Sequence, residues 1–346
     1  MSNLQDFNPT QGLGNLRNLE YLDLSGTKIN VSLQELGLGN LRNLEHLDLS
    51  GTEINVSLQE LGLGNLRNLE HLDLSGTKIN VSLQELGAGL ANLTNLEFLD
   101  LRGNRMSGSL QQANLRNLKF LNLSFNGMIG SLQELGLCKL KNLVELDLSG
   151  NNFEGPLPPC VNNLTILRAL DLSSNHLTGN IPSLNLLASL EYLSLRDNNF
   201  GGFSFDSLAN LSKLETFQLS SEDNKLQVQE TEIFLQPPNQ LKFLNLRKCN
   251  LHGIPSFLMY QHSLEVIDLS HNKLVGMFPT WLLQNNTRLQ GMNLISNSLS
   301  GILQLPNSTH DLFDLRISNN NLTDQLPINI SVILPRLEIL DLSKIV

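Results

Sequence analysis

Two histidines, His46 and His71, stand one repeat apart, each with an aspartate (Asp48, Asp73) two positions on. Such a grouping could hold a metal ion or respond to pH. Three cysteines, Cys138, Cys160 and Cys249, could supply a disulfide or a thiol nucleophile. Gly-Leu-Gly segments at 12–14, 37–39 and 62–64 have the outline of phosphate-binding turns. Each chemistry weakens on inspection. One imidazole pair beside carboxylates falls short of a closed zinc site of three or four ligands. No histidine is held to a cysteine by spacing, so a cysteine protease has no basis. The glycine segments lack the further spaced glycine and the Lys-Ser/Thr of phosphate loops, and no phosphoryl-transfer loop or nucleophile elbow is present. The expectation is a chain with no enzymatic activity and no catalytic, cofactor or metal site. If His46 and His71 lie on adjacent strands, each imidazole should lower the proton affinity of the other.

What positions these residues is a Leu-x-Leu core that returns along the whole chain. Leucines separated by one residue share a strand face, because successive side chains alternate. The first core residue falls at Leu22, Leu47, Leu72, Leu99, Leu121, Leu146, Leu170, Leu193, Phe217, Leu244, Ile267, Met292, Leu315 and Leu340, in steps of 22 to 27 residues. A unit this short cannot bury its own apolar side and must stack on its neighbours. The prediction is an α/β fold: a right-handed solenoid of about 14 repeats of roughly 24 residues. A parallel sheet would line its concave side, with irregular or 3-10 turns on the convex side. Residues 1–15 read as an irregular N-terminal segment and 16–346 as the solenoid, its last repeat cut short.

Residues 12–36, 37–61 and 62–86 are one 25-residue unit three times over, differing only at Tyr21/His46/His71 and Lys28/Glu53/Lys78. From the fourth repeat an asparagine appears five residues after the first core residue, at Asn104, Asn126, Asn151, Asn175 and Asn198, and again at Asn272, Asn297 and Asn320. Turned inward, its amide can satisfy backbone groups freed where the chain leaves the strand. Thr27, Thr52, Thr77 and Cys249 take this place elsewhere, which makes Cys249 a buried thiol. Cys138 and Cys160 precede the opening leucines of successive repeats, one strand spacing apart, so a disulfide between them is geometrically allowed. The ninth repeat carries two extra residues, Glu222-Asp223, which should form a local bulge.

A net charge of −10 with no basic block disfavours nucleic acid and anionic membranes as partners. No run of about 18 apolar residues exists to span a bilayer, and residues 1–14 lack the apolar segment of a secretory leader. Eleven Asn-x-Ser/Thr acceptors point the other way, to a secreted chain from which leader and anchor are missing: Asn30, Asn55, Asn80, Asn92, Asn122, Asn163, Asn210, Asn285, Asn307, Asn321 and Asn329.

After the inward asparagine several repeats read Gly-x-Ile/Leu/Phe-Pro, as in GPLPP at 155–159, GNIP at 179–182 and GMFP at 276–279. Together with LDLSGNNF and LDLSSNHL this resembles the plant-specific leucine-rich repeat. Segment 136–200, with LPNSTHDLFDLRISNNNLTDQLPINI later, resembles the ectodomain of plant receptor-like proteins without a kinase. The resemblance implies a second short strand after the first and a place on the extracellular side of the plasma membrane. It also implies a peptide, protein or glycan ligand and a partner receptor kinase. Two alternatives remain open: a secreted inhibitor of a cell-wall-degrading enzyme, and a truncated paralogue without function.

The outward residues beside each core form columns on the concave side, the surface solenoids use for recognition. Departures from the repeat default are the expected contacts: Tyr21, His46, His71, Phe98, Phe120, Tyr192 and Phe243 in the first column, Arg102, Arg196 and Arg247 in the third. The second column is mostly aspartate, which favours a basic and apolar peptide over an acidic one, unless its carboxylates serve lateral hydrogen bonding.

Overall fold

The computed structural model describes residues 13–27, 36–52, 62–110, 115–221, 225–229, 239–323 and 326–344. Asn30, Asn55 and the Glu222-Asp223 insertion lie outside them. The chain forms two compact units, Met1–Asn175 and His176–Val346.

In the N-terminal unit seven short strands pair in parallel in chain order: Tyr21–Asp23, His46–Asp48, His71–Asp73, Phe98–Asp100, Phe120–Asn122, Glu145–Asp147 and Ala169–Asp171. Their register is without slip, Leu22 opposite Leu47, Leu47 opposite Leu72, and so on to Leu146 opposite Leu170. The register follows from burial. A one-residue slip would turn each core leucine out to water, and Leu47, Leu49, Leu72, Leu74, Leu99 and Leu101 are all fully buried. In the C-terminal unit seven strands, Tyr192–Ser194, Thr216–Gln218, Phe243–Asn245, Val266–Asp268, Gly291–Asn293, Asp314–Arg316 and Ile339–Asp341, stack in the same manner.

Opposite the strands lie short 3-10 turns and helices, the longest being Leu83–Leu90. Ser82 starts that helix with a capping box, accepting from the Glu85 amide while the Glu85 carboxylate accepts from its own. A second strand after the turn forms in several repeats, both with the Gly-x-Ile/Leu/Phe-Pro element and without it. Ile129–Ser131 pairs with Asn152–Pro156 in the first unit, and His176–Asn180, Asn199–Ser204 and Gln227–Gln229 pair in the second. Among the described residues the first four repeats have only an isolated bridge there, Ser82 to Ser107. Cys138 and Cys160 are joined as a disulfide with Cα atoms 5.6 Å apart. The C-terminal unit departs from an all-leucine core: Phe203, Phe205, Phe217 and Phe257 pack ring to ring at 4.7–5.4 Å.

The inward asparagines run as a hydrogen-bonded file beneath the strands. Asn151 donates from Nδ2 to the carbonyls of Leu123 (2.9 Å) and Leu148 (3.0 Å), and its Oδ1 accepts from the amides of Asn126 (3.1 Å) and Met128 (3.0 Å). Asn272 does the same for Leu246, Leu269, Cys249 and Leu251. Thr77, in the same place, donates its hydroxyl to the Leu74 carbonyl at 2.7 Å. Cys249 is buried, donates its thiol to the Leu219 carbonyl, and desolvation holds its proton on well above the usual thiol range.

Candidate ligand-recognition face

In-register parallel strands set side chains of one column about 4.8 Å apart. Where that column holds flat rings, the rings stack. In the N-terminal unit Tyr21, His46, His71, Phe98 and Phe120 form one continuous ladder, with centroids 4.2, 4.0, 3.8 and 4.1 Å apart and planes within 17° of parallel. Tyr21 at its open end is 59% exposed and the others are half-buried, each screened by the next. The sequence pattern put these five residues in one column; the structure shows that their rings stack. His71 has its proton affinity lowered, first by burial in the ladder and then by His46, against the opposing pull of Asp73 and Asp48. Among the described residues no group of three or more His, Cys, Asp or Glu side chains could hold a metal ion.

The aspartate column works locally rather than laterally. Asp23, Asp48, Asp73, Asp147, Asp171 and Asp268 each accept, at 2.8–2.9 Å, the amide of the serine two residues on. These are Asx turns that close the strand end. A lateral bond occurs only at points, as from Asn293 Nδ2 to Asp268 Oδ2 at 3.1 Å. Asp100 stands apart: it is 3% exposed, and burial raises its proton affinity to a pKa of about 6 although Arg102 lies 3.5 Å away.

One column further on, Gly26, Gly51, Gly76 and Gly103 take positive φ of 63–66°, and the absence of side chains leaves a trough of about 530 Å³. Phe125 closes it, standing in the glycine column itself, 66% exposed, with its ring in the space a Cβ on Gly150 would need. Phe125 was not among the sequence-predicted contacts. It was findable as the residue that breaks a glycine column. The other predicted positions scatter along the rungs: Tyr192 and Phe243 are half-buried and fall outside the ladder. Arg196 is tied to Asp197 at 3.1 Å, whereas Arg247 is exposed with no ion-pair partner among the described residues. The acceptor asparagines differ in exposure. Asn80, Asn92, Asn163, Asn210, Asn307, Asn321 and Asn329 are exposed, Asn285 is half-buried, and Asn122, in the strand column, is buried.

Removing one rung of the ladder should be felt on both sides. Phe98→Ala deletes two stacks and is expected to lower stability by about 1–3 kcal/mol. It should also raise the His71 pKa toward that of a free imidazole, because the leading cause of its depression is burial. A chemical-shift titration of His71 that does not move in the variant would contradict the ladder.

Parallel rungs, an inward leucine core and an asparagine file make this a leucine-rich-repeat solenoid. Family models agree: Leucine Rich repeats (2 copies) match residues 94–136 and 116–159, and Leucine Rich Repeat matches 167–185, 189–211 and 263–285. Receptor-like protein 1 of Arabidopsis thaliana is 49% identical over 214 residues, 61% of this chain and 20% of its own length. The solved structure of the plant peptide hormone receptor RGFR1 in complex with RGF2 aligns at a TM-score of 0.65 and 26% identity, over 96% of this chain and 60% of that one. The Arabidopsis receptor kinase HAESA, in complex with the peptide hormone IDA and the co-receptor SERK1, aligns at 0.62 and 26%, over 99% and 57%. The chain carries leucine-rich repeats and is similar to plant receptor-like proteins, and it spans about a fifth of the length of the curated relatives it matches.

Proposed function

We propose that this chain is the ligand-reading part of a cell-surface receptor, held on the extracellular side of the plasma membrane, and that it takes a peptide or protein on its strand face. Signalling passes to a partner receptor kinase, in keeping with the HAESA complex, where peptide and co-receptor are bound together. The observation that carries the reading is the ladder from Tyr21 to Phe120, a row of rings on an exposed sheet face rather than in the core. Exposed aromatics in a row are the anchors of interfaces. The exposed acceptor asparagines fit the same placement, since a glycan needs an exposed asparagine. No helix of the described residues is long and apolar enough to cross a membrane.

The test is peptide capture. The full chain, immobilised, is offered a pool of extracellular plant peptides, and retained species are read by mass spectrometry. A small set of peptides should be retained by the wild type and lost from Phe98→Ala/Phe120→Ala. Retention that is the same on both proteins, or none on either, overturns the proposal.

A further inference from the structure

We infer that Arg247, Lys248 and His271 form a carboxylate-recognition point on the strand face of the C-terminal unit, taking an acidic group of a bound peptide. Arg247 and Lys248 follow the strand Phe243–Asn245, where the chain turns through a positive φ of 54° at Lys248. The next rung repeats the turn, with φ of 57° at His271. The Lys248 amide donates to the Ser270 carbonyl at 3.1 Å, which places Lys248 beside His271, one strand spacing away. The backbone thus gathers three basic side chains within two rungs. His271 registers the other two: its proton affinity is lowered by burial and then by Arg247 and Lys248, against Asp268.

The cluster departs from its surroundings in two ways. Other rungs carry small hydroxyl residues in these columns, such as Ser220-Ser221 and Ser173-Ser174, so the three basic groups are not demanded by the turn. Among the described residues neither Arg247 nor Lys248 has an ion-pair partner, in a chain of net charge −10. Asp268, the acid that acts on His271 among the described residues, already accepts from the Ser270 amide at 2.8 Å and from Asn293 Nδ2 at 3.1 Å. Adjacent cations without a counter-ion repel one another, and an arriving carboxylate removes that repulsion while offering the guanidinium a two-pronged partner. The biological meaning rests on the recognition reading above; the chemistry does not.

Serine at all three positions is a safe substitution, because other rungs hold serine there at similar φ, as at Ser174 and Ser296. Fluorescence anisotropy with labelled hexaglutamate, hexaglutamine and hexalysine peptides tests the assignment on the full chain. The wild type should bind hexaglutamate in a salt-sensitive manner and bind the other two weakly. Arg247→Ser/Lys248→Ser/His271→Ser should lose about ten-fold or more in affinity, whereas Arg42→Ser/Arg67→Ser, which removes two exposed arginines elsewhere, should lose none. Equal loss in both variants, or no loss in the triple, overturns the proposal. So does binding that emerges only in Glu222→Gln/Asp223→Asn, which would make the basic groups partners of that insertion. Displacement of hexaglutamate by inorganic sulfate far more readily than by acetate would reassign the point to a sulfate ester. None of these outcomes bears on peptide capture by the ring ladder, so the two ideas fail separately.

Discussion

Asn151→Ala should lower the stability of the N-terminal unit by about 3–5 kcal/mol, among the largest effects available to a single substitution in this chain. The reason is the number of buried groups one amide serves. Its Nδ2 and Oδ1 together satisfy two carbonyls and two amides at 2.9–3.1 Å, and the side chain is 4% exposed. Alanine leaves the Asn126 and Met128 amides without a partner, while the Leu123 and Leu148 carbonyls keep the side-chain amides of Asn126 and Asn175. Each unsatisfied buried group costs on the order of 1–3 kcal/mol before relaxation and water entry. Asn151→Thr should recover part of the loss, because Thr77 shows that a hydroxyl in this place still reaches a carbonyl, that of Leu74. The check is a urea denaturation midpoint, with the slope compared between variants to confirm that the exposed surface is unchanged. A midpoint for Asn151→Ala equal to that of the wild type would mean that the file of asparagines does not hold the rungs together.

Asp100→Asn should act in the opposite sense, and only above a certain pH. Folded Asp100 has a pKa of about 6, against an ordinary aspartate value of 3.8. Between those values the native state keeps a proton that the unfolded state releases, so stability falls as pH rises through that window and levels off above it. A shift of this size is worth on the order of 2–3 kcal/mol. The asparagine variant should therefore be more stable than the wild type at pH 7.5 by about that amount and equal to it below pH of roughly 4. The chain supplies its own precedent: Asn122, the next residue in the column, accepts from the Ser124 amide at 2.9 Å as Asp100 accepts from Arg102 at 3.0 Å. Thermal melts across pH 4 to 8 would decide; parallel curves for the two proteins would rule the buried charge out as a source of pH dependence.

The rungs themselves were legible in the sequence because their cause is local and repeated. Leu72-Asp73-Leu74 specifies a strand with one buried face, and its return at near-constant spacing specifies the stacking. The inward asparagines were legible for the same reason: the turn that follows each strand has a fixed need for an amide. Less legible was whatever depends on the neighbour one rung away. The aspartates looked alike in sequence, yet Asp23 is exposed and Asp100 buried. The difference lies in the neighbouring rungs: Asp23 pairs in register with Asp48 on one side only among the described strands, whereas Asp100 lies between Asp73 and Asn122. The ladder was half seen, since stacking of imidazole on phenylalanine follows from register, not from residue type. Lys248 and His271 escaped because they sit one position beyond the columns that alternate cleanly in and out, where the backbone turns through positive φ.

The first three units differ on the strand face only at Tyr21, His46 and His71, and their core leucines pair without slip. A gene that gains or loses one such unit would therefore lengthen or shorten the ring row by a single step, about 4.8 Å, and would present every interior neighbour with the same contacts as before. Reach along a ligand becomes a quantity that unequal crossing-over can adjust in whole numbers, with folding energetics nearly indifferent to the outcome.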